Sequence, residues 1–140
     1  MSKAVIIYWS GTGNTETMAN AVAEGAGEAA VLKKVSDITA DEAAAYDVLA
    51  LGCPACGSEE LDDSEFEPFF TALEGKLSGK KVGLFGSYGW GGGEWMQTWA
   101  DRVRAAGAGL IGDEGVTVNG EPDGDTLSKC KALGEKIAAL

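Results

Sequence analysis

The sequence predicts an α/β protein, with a doubly wound sheet of five parallel strands in the order 2-1-3-4-5 and helices on both faces. Five apolar runs of strand length alternate with segments of helical periodicity, which is typical of a parallel sheet covered by helices. A loop rich in glycine and hydroxyl residues also joins the first run to a helix. In such a sheet a ligand lies at the carboxyl ends of the strands, between the first and the third.

The individual elements follow from apolar periodicity. Strands are predicted at 4–9, 30–35, 47–53, 81–87 and about 109–118. A helix over 64–77 has its Phe and Leu residues on one face and a capping box of Ser64 and Glu67. A second box, of Thr39 and Glu42, opens a short alanine-rich helix. The predicted core residues of the last two helices are Trp95, Trp99, Val103, Leu127, Cys130, Leu133 and Ile137.

Length and composition limit the function. We expect one domain, 1–140, large enough to bury a core without disulfides or structural metal. The formal net charge of −11 disfavours nucleic acid and anionic membranes as partners, and the absence of histidine disfavours hydrolytic triads and zinc sites. With no signal-peptide pattern and no apolar run that could cross a bilayer, we expect a cytoplasmic monomer whose chemistry comes from a cofactor.

The loop after the first strand is predicted to bind a phosphate group. Its residues are Ser10, Gly11, Thr12, Gly13, Asn14 and Thr15. A strand that turns through such residues into a helix gathers unpaired N–H groups and the positive end of the helix dipole. The loop lacks the Lys of a nucleoside-triphosphatase site, and Glu16 replaces the third glycine of the dinucleotide fingerprint. A monophosphate therefore fits best, and a turn with an ordinary N-cap is the alternative.

Two later loops are suited to a flat ring. Residues 52–60 follow the third strand, and residues 86–94 follow the fourth. Trp90 has glycine on both sides, so its indole is presented on a backbone with little steric bulk. An indole face offers stacking to a planar heteroaromatic ring. The alternative is a mobile surface loop with a stray Trp, and segment 119–123 is a further candidate to cover the edge of the ring.

These three loops resemble those of flavodoxins, specifically the short-chain type of clostridia and other anaerobes. The similarity spans essentially the whole chain and is carried by residues 9–16, 52–59 and 85–91. It implies a low-potential electron carrier without substrate turnover, which moves electrons one at a time on non-covalently bound FMN. By the same resemblance the Gly57 peptide changes orientation with the redox state, and glycine makes this change inexpensive.

The resemblance also implies where FMN binds. Its phosphate lies on residues 10–15, its ring lies between Trp90 and residues 55–57, and Glu59 lies at its pyrimidine edge. The implied ring residues in full are Pro54, Ala55, Cys56, Gly57, Ser58, Glu59, Ser87, Tyr88, Gly89, Trp90 and Gly91. Cys56 stands where this type commonly has Met, and Pro54 has neither an N–H nor a hydroxyl to donate.

Cys53 and Cys56 form a C-x-x-C motif, which makes a thiol–disulfide oxidoreductase the main alternative function. Cys53 ends an apolar strand, so we expect it to be buried. The acidic residues that follow are expected to raise the pKa of Cys56, which disfavours a reactive thiolate. A small NAD-binding or receiver module shares the fold, but a receiver needs acidic residues at the end of the first strand, where Tyr8, Trp9 and Ser10 stand.

Six of the nine residues from 59 to 67 are acidic: Glu59, Glu60, Asp62, Asp63, Glu65 and Glu67. Negative charge beside the ring disfavours its anionic reduced form, which predicts a low potential. The same residues are expected to form a docking surface for basic redox enzymes in weak, salt-sensitive complexes. A solvated acidic face that serves solubility is the alternative for any one of these acids.

Overall fold

The computed structural model describes residues 3–11, 13–56, 61–89, 93–112 and 115–140. Its strands are β1 (Ala4–Tyr8), β2 (Ala30–Lys34), β3 (Val48–Gly52), β4 (Lys81–Tyr88), β5 (Gly109–Leu110) and β6 (Val116–Asn119). Its α-helices are α1 (Asn14–Ala26), α2 (Ala40–Ala44), α3 (Phe66–Glu74), α4 (Glu94–Ala105) and α5 (Gly124–Ala139). Short 3₁₀ turns at Gly27–Ala29 and Val35–Asp37 flank β2.

The strands form one sheet in the order β2-β1-β3-β4-β5, and every pair is parallel. This confirms the predicted α/β class and strand order. In the register of the three central strands, Tyr8 lies beside Gly52, and Gly52 lies beside Phe85. The carboxyl ends of β1, β3 and β4 therefore meet at one edge of the sheet, where the sequence placed the ligand.

The fifth strand is interrupted, so the prediction of one strand over 109–118 is wrong in this respect. β5 pairs with Lys81 and Val82 of β4, and β6 pairs with 85–88 of the same strand. β5 thus ends at Leu110, and β6 begins at Val116. Gly112, just after β5, has a positive φ of 81°, a conformation that residues with a Cβ adopt only with strain.

The two faces of the sheet have different cores. One is aromatic, because α3 and α4 bring Phe66, Phe70, Trp95 and Trp99 against it. The other is covered by α1 and α5, whose buried side chains are smaller. The predicted core residues Trp95, Trp99, Val103, Cys130, Leu133 and Ile137 are buried, which confirms them, whereas Leu127 is only half-buried.

Helices α1 and α5 are in backbone contact through two glycines. A Cβ on Gly25 would overlap the carbonyl of Lys131, and a Cβ on Gly134 would overlap the carbonyl of Val22. Any larger residue would push the helices apart, because neither obstacle is a movable side chain. These two glycines therefore set the distance between α1 and α5.

One predicted capping box is confirmed and the other is wrong. Thr39 Oγ1 accepts the Glu42 N–H at 3.1 Å, and Glu42 Oε1 accepts the Thr39 N–H at 3.0 Å. Helix α3 begins at Phe66, two residues later than predicted. Its first amides are bound by Asp62, whose Oδ2 accepts N–H groups of Glu65 at 2.8 Å and Phe66 at 3.0 Å. A carboxylate binds amides at a helix start more strongly than a hydroxyl does.

Candidate functional site

The backbone beyond β3 continues to pair with β4. The Cys53 N–H donates to the Phe85 carbonyl at 3.1 Å, and the Ala55 N–H donates to the Ser87 carbonyl at 3.0 Å. The start of the first predicted ring loop is thereby fixed against the strand that leads to the second. This pairing makes the two loops neighbours in space, as the predicted topology requires.

The predicted phosphate loop opens α1 without a side-chain cap. Gly13 is the N-cap in a left-handed conformation, φ 96°, and no side chain among the described residues bonds to the first amides as a cap. Ser10 Oγ accepts the Gly13 N–H at 3.0 Å and holds the turn closed. The first amides of α1 are thus left for another acceptor, and the positive end of the helix favours an anion.

Thr15 and Ser87 connect this loop to the end of β4. Their hydroxyl oxygens are 3.4 Å apart, and both residues are buried. The Thr15 side chain therefore faces β4 beneath the loop. A buried hydroxyl needs a partner, so the contact ties the two predicted loops to each other.

A cleft of about 390 Å³ lies where the three loops meet. It is lined by Trp9, Gly11, Asn14, Pro54, Ala55, Cys56, Ser87, Tyr88, Gly89 and Gly120. A second cleft of about 330 Å³ adjoins it and is lined by Tyr8, Trp9, Ser10, Gly11, Gly13, Glu16, Lys34, Val35, Ser36 and Glu65. The structure thus brings together predicted residues from all three loops around two connected clefts.

Two residues that line the main cleft, Trp9 and Gly120, were not among the predicted site residues. Trp9 borders both clefts, and its Nε1–H donates to Glu65 Oε1 at 3.2 Å. Its position directly after β1, at the switch point of the sheet, was the signal that could have identified it. Gly120 enters the main cleft because its N–H donates to the Tyr88 carbonyl at 2.8 Å. Gly120 lies within segment 119–123, which the sequence had made a candidate to cover the edge of the ring.

Several predicted site residues lie outside the described part of the chain. They are Thr12, Gly57, Ser58, Glu59, Trp90 and Gly91. Their predicted roles at the phosphate, at the edge of the ring and in stacking stay predictions. The described residues on either side, Cys56 and Gly89, both line the main cleft.

The C-x-x-C cysteines are free thiols in different environments. Cys53 is buried, as predicted, and burial is the main cause that raises its pKa. Cys56 is half-buried, and a hydrogen bond from Cys53 holds its pKa below the usual value. The predicted rise for Cys56 is therefore wrong. The charges of Asp62 and Asp63 do act upward, but the neighbouring thiol outweighs them.

The predicted acidic cluster is divided by the fold. Asp62 is only 6% exposed, and although burial raises its pKa, hydrogen bonds from the backbone at Phe66, Glu65 and Ser64 hold that pKa below the usual value. Glu67 binds Arg102 at 2.7 Å, which lowers the pKa of Glu67. Asp62 and Glu67 therefore have bonding partners within the protein, whereas Asp63 and Glu65 are exposed. Glu59 and Glu60 lie outside the described residues.

Among the described residues there is no helix long and apolar enough to span a membrane. Nor do they contain a group of three or more Cys, Asp or Glu side chains arranged to hold a metal ion.

The chain matches known proteins along nearly all of its length. The family model described as Flavodoxin matches residues 6–134. A flavodoxin of Megasphaera elsdenii is 54% identical over 95% of this chain and 96% of its own length, and one of Clostridium beijerinckii is 46% identical over 96% and 99%. The solution structure of two-electron reduced Megasphaera elsdenii flavodoxin superposes with a TM-score of 0.87, at 52% identity over 98% of this chain and 99% of that one.

Proposed function

This chain belongs to the flavodoxin family and transfers electrons on FMN, and we propose that it does so one electron at a time, at low potential, between redox enzymes. The observation that carries the proposal is the pair of connected clefts at the carboxyl ends of β1, β3 and β4. One of them adjoins the uncapped start of α1, and the other is bordered by both predicted ring loops.

The described residues fit a flavin mononucleotide chemically. The main cleft is walled by Trp9, Pro54, Ala55 and Tyr88, which suits an apolar ring system. The neighbouring cleft reaches Ser10 and Gly13 at the start of α1, where the Ser10 hydroxyl and the positive end of the helix suit a phosphate. A ligand with a flat apolar end and an anionic end matches this division.

We assign the predicted residues to the two ends of FMN. Its phosphate is held by the loop of Ser10, Gly11, Thr12, Gly13, Asn14 and Thr15. Its ring system is held by Pro54, Ala55, Cys56, Gly57, Ser58 and Glu59 on one loop and by Ser87, Tyr88, Gly89, Trp90 and Gly91 on the other. Supporting this, eight of these residues line the main cleft: Gly11, Asn14, Pro54, Ala55, Cys56, Ser87, Tyr88 and Gly89.

Bound FMN supplies reversible one- and two-electron chemistry, and the protein sets how readily each electron is accepted. The net charge of −11 opposes a further negative charge in the cleft. A single charge at ~10 Å costs roughly 0.8 kcal/mol at an effective dielectric constant of ~40, so several charges lower the potential by on the order of 100 mV. Glu65 contributes to this negative charge directly, because it lines the neighbouring cleft and accepts a hydrogen bond from Trp9.

Redox partners are proposed to dock at the cleft through basic surfaces. Asp63 and Glu65 are exposed, and Glu65 lines the neighbouring cleft, where it accepts the Trp9 Nε1–H. Glu67 is less available because Arg102 already binds it. Weak electrostatic docking permits fast exchange, which a carrier needs. We further propose a one-domain monomer, without substrate turnover of its own, in a reducing cytoplasm that keeps its three cysteines as thiols.

Titration of the FMN-free protein with FMN tests the function. We expect one FMN bound per chain, visible absorption that bleaches on reduction, and quenched flavin fluorescence. Glu65→Gln should reduce the salt dependence of electron transfer from a basic reductase, whereas Glu74→Gln, which removes the same charge at a residue that lines neither cleft, serves as the control. Absence of FMN binding by a folded protein would refute the proposed function.

A further inference from the structure

The C-x-x-C pair lies beside the main cleft, which is proposed to hold FMN. Cys53 Sγ and Cys56 Sγ both contact the Pro54 carbonyl oxygen, at 3.5 and 3.6 Å. Cys56 is half-buried and lines the main cleft, whereas Cys53 lies fully buried behind it. One thiol thus lines the cleft and the other is buried behind it, and both contact the same carbonyl oxygen.

We propose that these two thiols are a peroxide-responsive pair, and that their oxidation to a disulfide weakens FMN binding. The second half of this inference depends on the proposed function, because it requires FMN in the main cleft. The pair acts on the chain's own cofactor site. Exchange with other proteins is disfavoured, since Cys53 has no exposed surface.

The chemistry requires only a hydroperoxide as oxidant. The Cys56 thiolate attacks one peroxide oxygen, the O–O bond breaks, and hydroxide leaves and takes up a proton as water. The resulting sulfenic acid is attacked by the Cys53 sulfur, which forms the S–S bond and releases a second water. Two thiols lose two electrons and two protons, and one hydrogen peroxide becomes two water molecules. Cys56 is placed to react first because it borders the open cleft.

Any movement that accompanies disulfide formation is expected at Cys56, because Cys53 is held in place. The Cys53 N–H binds the Phe85 carbonyl at 3.1 Å, and its sulfur accepts the Asp62 N–H at 3.4 Å. The required S–S length is about 2.0 Å, with the two Cβ atoms about 4 Å apart. Cys56 would therefore turn away from the cleft and toward the core. This movement changes the wall against which the cofactor ring packs.

The coupling between the disulfide and FMN is reciprocal. If oxidation weakens FMN binding about tenfold, saturating FMN must favour the dithiol by the same factor. For a two-electron couple a factor of ten corresponds to about 30 mV. The pair should therefore oxidise less readily in FMN-loaded protein than in FMN-free protein.

The test begins with the FMN-free protein and hydrogen peroxide. We expect free thiols, counted after denaturation, to fall from three to a single one, and intact mass to fall by about 2 Da. Peptide mapping should place the bond between Cys53 and Cys56. The dissociation constant of FMN, measured by fluorescence quenching, should rise about tenfold and return after treatment with a dithiol reductant.

Variants separate the two halves of the inference. Cys56→Ala removes the cleft thiol, and its FMN affinity should not respond to peroxide. Cys130→Ala is the matched control, because Cys130 is buried in α5 against the other face of the sheet and should leave the response intact. Retention of all thiols in the wild type would overturn the inference, as would a 53–56 disulfide that leaves FMN affinity unchanged. A disulfide in a protein that never binds FMN would instead refute the proposed function.

Discussion

The helices on the two faces of the sheet are packed in opposite ways, by large side chains on one face and by glycines on the other. The face under α3 and α4 is filled by large rings, with Trp99 edge-on to Phe66 at 5.4 Å and to Phe70 at 5.9 Å. The face under α1 and α5 is closed by removing side chains, since Gly25 and Gly134 let the helix backbones touch. Rings tolerate small adjustments, whereas two backbones in contact have no side chain that can move.

The largest effect is expected from adding one methyl group at the contact between α1 and α5. Gly134→Ala should lower the free energy of unfolding by about 2–3 kcal/mol, because its Cβ would overlap the backbone of α1. Urea denaturation of the FMN-free protein measures this change. Gly124→Ala, on the same helix, is the control, because no described atom lies within 4 Å of its added Cβ. Equal midpoints for the two variants would contradict the backbone contact.

A smaller effect is expected at the start of α3, which covers the aromatic face of the sheet. Asp62→Ala should cost about 2 kcal/mol at neutral pH, because it removes the carboxylate that holds the first amides of α3. The pKa of Asp62 is lower in the folded protein than in the unfolded chain. Its contribution is therefore present at neutral pH and is lost as the pH falls below about 4, through the folded pKa.

Unfolding of wild type and Asp62→Ala across this pH range measures the contribution. The two stabilities should converge in acid. Asp62→Asn, which keeps an acceptor oxygen without the charge, should lie between them at neutral pH and show less pH dependence. A stability gap that stays constant with pH would show that the carboxylate charge is not involved.

The smallest effect is the expected difference in stability between substitutions of two tryptophans on the aromatic face. Trp95 Nε1–H donates to the Cys53 carbonyl at 3.1 Å, whereas the buried Trp99 Nε1–H has no partner among the described residues. Trp95→Phe should therefore cost about 1 kcal/mol more than Trp99→Phe, because only the former leaves an acceptor unpaired. The same denaturation experiment measures both. A more costly Trp99→Phe would show that ring packing outweighs the hydrogen bond.

The parts of the fold that the sequence predicted well depend on repeated local patterns. Five apolar runs separated by helical periodicity indicated the strand order, and glycine with hydroxyl residues after β1 indicated the edge where the clefts lie. Cys53 was correctly expected to be buried because it ends an apolar run. Each of these inferences used many residues or a strong local preference, so single exceptions did not disturb it.

The errors arose where one specific side-chain contact decided the outcome. Ser64 and Glu67 form a good capping pattern, but Asp62 binds the first amides of α3 and Arg102 binds Glu67. The pKa of Cys56 was judged from nearby acids, while the hydrogen bond from Cys53 prevails. Trp9 was assigned to the loop motif and not to the clefts, although its position directly after β1, at the switch point of the sheet, indicated the ligand site.

The glycine contact between α1 and α5 has a consequence at the opposite end of α1. The amides proposed to grip the phosphate belong to the first turn of α1, and Gly25 locks its last turn against the C-terminal helix. The first turn of α1 is thus already ordered when the chain has folded. The entropy cost of ordering it therefore does not reduce the affinity for FMN. Residues more than a hundred positions away in sequence therefore contribute to affinity by preorganisation, without touching the ligand.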